Sequence, residues 1–468
     1  MLSFFRINDP YRLVFVLVLL MIFRLPFIIY GIPLTIPELK WMLVGEAMVN
    51  GKMLYRDIWE NIGPLSAFTY QILDFLFGRS QLAYQLLSLV LVFIQAIIFN
   101  RLLLINKAFN ENTYVPALIY AICMSMTFEF LTLSPVLMSI TFVLLAINNI
   151  FKRIDNFTKD ELFLYTGLYL GIATLFYFPA FVFFITTLLS LILFTNAIPR
   201  RLMLMSFGYA QILIILILYY YWYDVERELY FQFFSSPFSL ERNHFINGNG
   251  LFKISLLFGM VFFLSLIKLY SRNYYVNFQV KFQSVLLITL IGASITIFLV
   301  PELSSFHLIV FVPVLSFFIT HLFLLVEKRT KAEIMFFVFV ASIFTYQFLI
   351  DKNLKWIGQQ VDYAPVIVTN TEYDDVTTNK NILVLGTKSS IYNNSTFATP
   401  YLNWELAKNH LENMEYYDVI TDVFKNFSND PPEVIIDLKG TVPELFRKMP
   451  TIELKYSQIR NDVYILKD

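Results

Sequence analysis

The residues of this chain with the greatest chemical capacity lie between positions 37 and 65. Pro37-Glu38-Leu39-Lys40-Trp41 is followed by Gly51-Lys52-Met53-Leu54-Tyr55-Arg56-Asp57-Ile58-Trp59-Glu60-Asn61-Ile62-Gly63-Pro64-Leu65. Acids, bases and tryptophans therefore share one polar stretch flanked by apolar blocks. Charge beside a membrane is costly unless it is solvated or used. A carboxylate held there can take a proton from an attacking hydroxyl, as a general base does. Acids interleaved with bases also suit a phosphate or a divalent cation. Glu38 is the first candidate base, Asp57 the second, and Glu60 a weaker third. Each has a structural reading beside the chemical one. Thr35-Ile36-Pro37-Glu38 has the Thr-x-x-Glu spacing of a capping box, in which the carboxylate bonds back to a free backbone N–H. Asp57 reads equally as a loop acid that is solvated or paired with Arg56, Lys52 or Lys40. Both alternatives stay open at this point.

The elements that must position these side chains are mostly apolar. The chain has 468 residues, 57% of them hydrophobic and only 15% charged, with a mean hydropathy of +0.62; soluble proteins carry about 25% charged residues. This is the composition of an integral membrane protein. Apolar segments near 12–31, 82–100, 113–130, 134–150, 161–178, 180–197, 203–222, 251–269, 283–300, 307–326 and 333–351 predict about eleven transmembrane helices. Leu65–Phe77 is too short for a span and reads as re-entrant or interfacial. The spacing of Ile36, Leu39, Leu43 and Ala47 predicts a helix over 36–50 lying along the outer surface, with Trp41 as a headgroup-level anchor.

Basic residues set an orientation. Arg6, Arg12, Lys152, Arg153, Lys159, Arg200, Arg201, Lys328, Arg329 and Lys331 fall in short segments on one side, which the positive-inside bias assigns to the cytoplasm together with the N-terminus. Loops 32–81 and 223–250 and the C-terminal segment then lie outside it. From about residue 352 polar residues rise. Strands are predicted at 381–385, 433–438 and 462–466, and helices at 402–413, 416–427 and 442–448, a small α/β domain with a partly parallel sheet. The predicted organisation is a transmembrane domain over 1–351 and an extracytoplasmic α/β domain over 352–468.

The formal net charge is zero, so no nucleic-acid partner is implied. The single Cys123 excludes an intrachain disulfide and a cysteine-cluster metal site. His244, His307, His321 and His410 have no metal-ligand spacing. The residues assign no metal site and no cofactor, though a divalent cation held by carboxylates stays open. Arg24, late in the first span, either snorkels to the interface or faces a cavity where it pairs with a phosphate or with Glu129. In the 223–250 loop, Arg242 and His244 are either solvated charges or part of a lid made mobile by Gly248 and Gly250. His321 reads as structural.

An acid opening a helix, a Gly-Lys-x-x-Tyr-x-Asp segment and a Gly-Pro-Leu entry into an apolar stretch resemble the first loop of GT-C glycosyltransferases. The branch it is most similar to contains protein O-mannosyltransferases and lipid A aminoarabinose transferases. Leu133-Ser134-Pro135-Val136-Leu137-Met138, Gly167–Phe178 and Ser305-Phe306-His307-Leu308-Ile309-Val310-Phe311-Val312-Pro313 resemble later helices of that family. The resemblance implies a GT-C-like membrane fold and transfer of a sugar from a polyprenyl-phosphate donor to a lipid, glycan or protein acceptor at the extracytoplasmic face of a membrane, such as a bacterial inner membrane. It implies Glu38, with Asp57 second, as the activating carboxylate, an inverting displacement, and His307 at the aromatic/histidine position of the late helix. Arg56, Lys40, Arg24, Arg242 and His244 are the candidates to hold donor or phosphate. The chain departs from the family at Asn61-Ile62-Gly63-Pro64, where a basic residue and a double proline are usual. It departs again at Glu302-Leu303-Ser304-Ser305, where a basic residue often helps hold the donor phosphate. A catalytically altered scaffold or assembly subunit of a cell-envelope machine is the alternative.

Overall fold

The computed structural model describes residues 1–155, 160–195, 198–238, 242–271, 276–326, 328–351, 361–412 and 414–467. They are mostly helical, with one small sheet near the C-terminus. The chain forms two compact units. One comprises Met1–Ile32, Gln81–Leu218 and Arg242–Pro365; the other comprises Pro33–Ser80, Tyr219–Glu241 and Val366–Asp468.

The first unit holds long apolar helices. Among the described residues, Gln81–Ile105, Pro135–Ile154, Pro199–Trp222, Gly248–Tyr270, Asn277–Phe298 and Ser305–Leu324 are long and apolar enough to cross a membrane, six in all. The protein is an integral membrane protein. The other segments expected to span take different forms. Arg12–Tyr30 and Arg329–Asp351 are helices of 19 and 23 residues. Glu161–Phe176 and Phe178–Phe194 are shorter apolar helices. The 113–130 segment is a helix only over Val115–Cys123, after which the chain turns through a 3-10 helix at Phe128–Leu131. The chain leaves that turn extended at Thr132 (φ −98°, ψ 160°), and the next helix opens at Pro135. Helices Glu161–Phe176 and Pro199–Trp222 meet at glycines. A Cβ on Gly167 would lie 2.0 Å from the Met205 carbonyl oxygen, and one on Gly208 would lie 2.4 Å from that of Leu164. Only hydrogen side chains allow backbones this close, the close approach small residues provide in membrane interiors.

The second unit contains the sheet. Strands β1 (Asn381–Leu385), β2 (Thr396–Phe397), β3 (Val434–Asp437), β4 (Tyr456–Arg460) and β5 (Val463–Leu466) lie in the order β2-β1-β3-β5-β4. β1 is parallel to β2 and β3, and β5 is antiparallel to β3 and β4. The sheet is partly parallel, as its sequence pattern predicts. β2 and β4 were not predicted: β2 is two residues long, and β4 is exposed along Gln458–Arg460, with no buried face to read.

The first loop belongs to this same unit. Leu34 and Ile36 pair with Val366 and Val368, through Ile36 N–H to Val366 O at 2.7 Å and Val368 N–H to Leu34 O at 2.8 Å. Trp59 donates its N–H to Pro400 O at 2.8 Å and accepts from Asn403 N–H at 3.1 Å. Its indole packs on the core of Leu383, Tyr401, Leu411, Phe427 and Ile435. Helix Ile36–Val49 is buried nearly all round, not along one face as its spacing suggests. It lies against helix Pro64–Phe77, with Trp41 stacked on Tyr70 at 5.7 Å, and Gly45 permits the approach: a Cβ there would stand 2.6 Å from Tyr70 O.

Candidate functional site

In the second unit the site is built on the first turn of helix Ile36–Val49. Thr35 is its N-cap, and Thr35 Oγ1 accepts from Glu38 N–H at 3.3 Å, one arm of the capping box. Pro37 suits the early turn because its missing N–H would have had no helical partner. Glu38 is 2% exposed and Lys40 6%. The first helical turn is a position that favours negative charge, because unsatisfied N–H groups point toward it.

The cations of the first loop are committed. Lys40 Nζ lies 3.9 Å from Glu60 Oε2, both buried; Glu60 Oε1 also accepts from Asn403 Nδ2 at 2.9 Å. Lys52 Nζ pairs with Asp430 at 2.7 Å, donates to Phe397 O at 2.9 Å and sits over the Phe397 ring. Arg79 pairs with Glu46 at 2.7 Å and donates to the carbonyls of Asn393 and Ser395. Arg56 clasps its neighbour Asp57 through Nη2 at 2.9 Å and Nε at 3.1 Å. That hydrogen bond raises the guanidinium pKa further. Asp57 also accepts from Met53 N–H at 2.8 Å, so it closes the turn. Tyr55 pins that turn. It is fully buried with φ 71°, its hydroxyl donates to Ile62 O at 2.7 Å, and its carbonyl accepts from Gln232 Nε2 at 2.7 Å.

In the first unit, His244, His307 and Glu129 converge on one short segment. Leu303 N–H donates to His244 Nδ1 at 3.4 Å. His307 Nδ1 lies 3.2 Å from both the N and the O of Ser304, accepting from the one or donating to the other according to its tautomer. Ser305 N–H donates to Glu129 at 2.8 Å, Ser304 Oγ donates to it at 2.6 Å, and Ser305 Oγ also donates to it. The Leu303 and Ser305 N–H groups at the entry to the Ser305–Leu324 span are thus capped by side chains. A helix start whose N–H groups are free is a ready anion site; here these groups are taken. Partial burial, followed by the nearby Arg242 charge, lowers the His244 pKa below its ordinary 6.5, against a hydrogen bond to Pro301. Arg242 itself is exposed.

Arg24 does not snorkel. It is 2% exposed, and Nη1 donates to Gln85 O at 3.0 Å, Ser88 Oγ at 3.1 Å and Leu131 O at 3.2 Å. All three acceptors are neutral, Nε and Nη2 have no partner among the described residues, and no carboxylate pairs with it there. An uncompensated buried cation of this kind costs roughly several kcal/mol.

Of the residues the sequence singled out, the structure therefore joins Arg56 with Asp57 and Lys40 with Glu60, and sets His244 and His307 on adjacent amides. Sequence reasoning considered Glu129 only as a partner for Arg24, and met Tyr55 only as part of the Gly-Lys-x-x-Tyr-x-Asp segment, with no role of its own. A carboxylate in a tight turn between two apolar runs was the available signal for Glu129. Among the described residues no three His, Cys, Asp or Glu side chains converge to hold a metal ion, and Asp57 and Glu60 have separate partners.

A scan against protein-family profiles and a search of curated proteins find no match. Among solved structures the chain is similar to the apo oligosaccharyltransferase of Archaeoglobus fulgidus, with a TM-score of 0.51 and 11% identity over 96% of this chain and 73% of that one. It is also similar to the oligosaccharyltransferase AglB of the same organism in complex with an inhibitory peptide and a dolichol-phosphate, with a TM-score of 0.49 and 9% identity over 98% of this chain and 74% of that one. The first likeness establishes a shared fold.

Proposed function

We propose that this protein is a membrane glycosyltransferase that moves a sugar from a polyprenyl-phosphate donor to an acceptor hydroxyl outside the cytoplasm. The observation that carries the reading is the buried carboxylate of Glu38 in the first helical turn of the first loop, in a chain that shares its fold with an oligosaccharyltransferase over 96% of its length. In this reading Glu38 takes the proton of the acceptor hydroxyl. The oxygen attacks the anomeric carbon from the face opposite the donor phosphate, the bond from carbon to phosphate oxygen breaks, and the lipid phosphate leaves with the electron pair. The configuration inverts. Catalysis rests on positioning and on cations that stabilise the leaving phosphate.

Asp57 is the second carboxylate of the proposal, and Arg24, Arg56, Lys40, Arg242, His244 and His307 are its donor-side groups. Arg24 is the strongest of these, because it is buried with two partnerless nitrogens. The finer topology belongs to the same proposal: a GT-C-type protein of about eleven spans in a bacterial inner membrane, N-terminus inside, with a transmembrane domain over 1–351 and an extracytoplasmic domain over 352–468. One observation favours the second reading, a scaffold or assembly subunit without transferase activity. Lys40, Lys52, Arg56 and Arg79 are all ion-paired within the fold, which leaves the first loop poor in cations for a phosphate. Sugar transfer in vesicles loaded with a polyprenyl-phosphate sugar separates the two. Loss of transfer in Glu38→Gln supports the enzyme; wild-type transfer in both Glu38→Gln and Asp57→Asn removes this assignment of the base; and no turnover of donor by the wild type favours the scaffold.

A further inference from the structure

Helix Pro64–Phe77 of the second unit has two faces of different kind. Ser66, Ala67, Tyr70 and Leu73 are buried, and Trp41 and Gly45 of helix Ile36–Val49 meet that side at Tyr70. Phe68, Ile72, Phe75 and Leu76 are between 44% and 76% exposed. At 3.6 residues per turn their spacing puts all four within an arc of about 100°. No polar side chain falls inside that arc. The two that border it are bonded to backbone: Gln71 Nε2 donates to Met48 O at 3.0 Å, and Thr69 Oγ1 to Leu65 O at 2.8 Å. A wholly apolar outer face of this kind marks a surface that is covered in use.

The course of the chain says what covers it. Only Gly78, Arg79 and Ser80 separate Phe77 from Gln81, the first residue of a helix long and apolar enough to cross a membrane. Four residue steps reach at most about 14 Å, so the exposed end of the short helix is tethered to the membrane boundary where that span begins. Its own 14 residues rise about 21 Å, short of the roughly 30 Å of bilayer hydrocarbon, so it cannot cross. Arg79 holds the tether within the second unit, through its pair with Glu46 and the carbonyls of Asn393 and Ser395. The sequence pattern predicts the membrane surface for helix 36–50 instead. Burial of Ile36–Val49 nearly all round leaves no face for that role, and Trp41 stacks on Tyr70 instead of anchoring among headgroups.

From these features we infer that Pro64–Phe77 is a membrane-surface helix, with Phe68, Ile72, Phe75 and Leu76 sunk into the boundary between headgroups and acyl chains. A helix lying in that plane buries its apolar side by about 5–10 Å. Helix Ile36–Val49 packs on the opposite side, at the roughly 8–10 Å between axes of packed helices. The stretch bearing Glu38 therefore rides one helix layer above lipid. Only this last consequence touches the proposed transferase; the membrane contact does not depend on it.

The test uses the full-length protein in phosphatidylcholine nanodiscs, with a nitroxide on one introduced cysteine at a time. Phe68→Cys, Ile72→Cys and Phe75→Cys report the outer face, and Lys439→Cys, at an exposed position of the same unit, is the aqueous reference. Cys123 is fully buried, and the unsubstituted protein measures any label it takes. Collision of the nitroxide with oxygen, which concentrates among acyl chains, is compared with collision with a water-soluble nickel chelate. The ratio of oxygen to nickel collision is expected to be several-fold higher at 68, 72 and 75 than at 439. A ratio equal to that at 439 puts the face in water and overturns the inference. Low collision with both reagents at all three sites shows protein covering the face and overturns it as well; spin–spin broadening that vanishes on dilution with unlabelled protein then identifies the cover as a second copy. Each site is read alone in a protein changed at one exposed residue, so loss of one variant leaves the others to decide. Transfer assays on Glu38→Gln read the enzymatic proposal separately, so either can fail without the other.

Discussion

Glu38 carries two demands, since the first turn of its helix needs negative charge near free N–H groups and the proposed reaction needs a proton acceptor. Thr35 caps the Glu38 N–H, and the carboxylate stands buried in the same turn. A general base contributes about 10²–10⁴-fold, so Glu38→Gln is expected to lower kcat by that range with KM little changed, measured as initial transfer rates. Asp57→Asn is expected to act mainly on stability, by about 1 kcal/mol, since it closes a turn and pairs with a half-exposed arginine. His244 gives a pH prediction. Its folded-state pKa is below its ordinary 6.5, so above that value the ring is neutral in both states. Below it the unfolded chain binds a proton that the folded chain resists, and stability falls with acid. A melting series from pH 7 to pH 5 is expected to show a smaller acid loss in His244→Asn, whose side-chain oxygen can still accept from Leu303 N–H.

At the scale of elements, the turn at 53–62 hangs on Tyr55. Its left-handed backbone is strained for a bulky residue and persists because the ring and hydroxyl are fully enclosed. Tyr55→Phe leaves the Ile62 carbonyl without its donor and is expected to cost about 1–3 kcal/mol, read as a fall in melting temperature of the detergent-solubilised protein. This element also marks where sequence reading stops. Long apolar runs, the β1 and β3 strands and the Thr35–Glu38 cap were legible because each has a local pattern. The ion pairs of Lys52 with Asp430 and of Arg79 with Glu46, the burial of Arg24, and the seating of Trp59 among residues near 400 were not. Hydrogen bonds spanning 345 and 378 positions, as from Lys52 to Phe397 and Asp430, leave no periodicity to read. The break of the 113–130 run was not legible either: the grip of Ser304 and Ser305 on Glu129 joins positions 175 and 176 apart.

At the scale of the molecule, the second unit is drawn from three separate stretches of chain, 33–80, 219–241 and 366–468. The first of these buries apolar residues of its own, among them Leu39, Leu43, Ile58 and Tyr70, but Trp59 finds its core only in the third. Removing 366–468 is therefore expected to leave the first loop unfolded, with rapid trypsin cleavage after Lys52 and Arg56 that the full chain resists; equal resistance in both proteins would show that the loop folds alone. The same arrangement has a consequence in time. Lys52 leaves the ribosome 378 positions before Asp430, and at about 5–20 residues per second that interval is roughly 20 to 75 s. Throughout that wait the stretch bearing Glu38 has been made but has not been shaped, so a chain cut short during synthesis carries the carboxylate without the geometry to use it. If Glu38 acts as proposed, a chain cut short before Asp430 is expected to lack transfer activity.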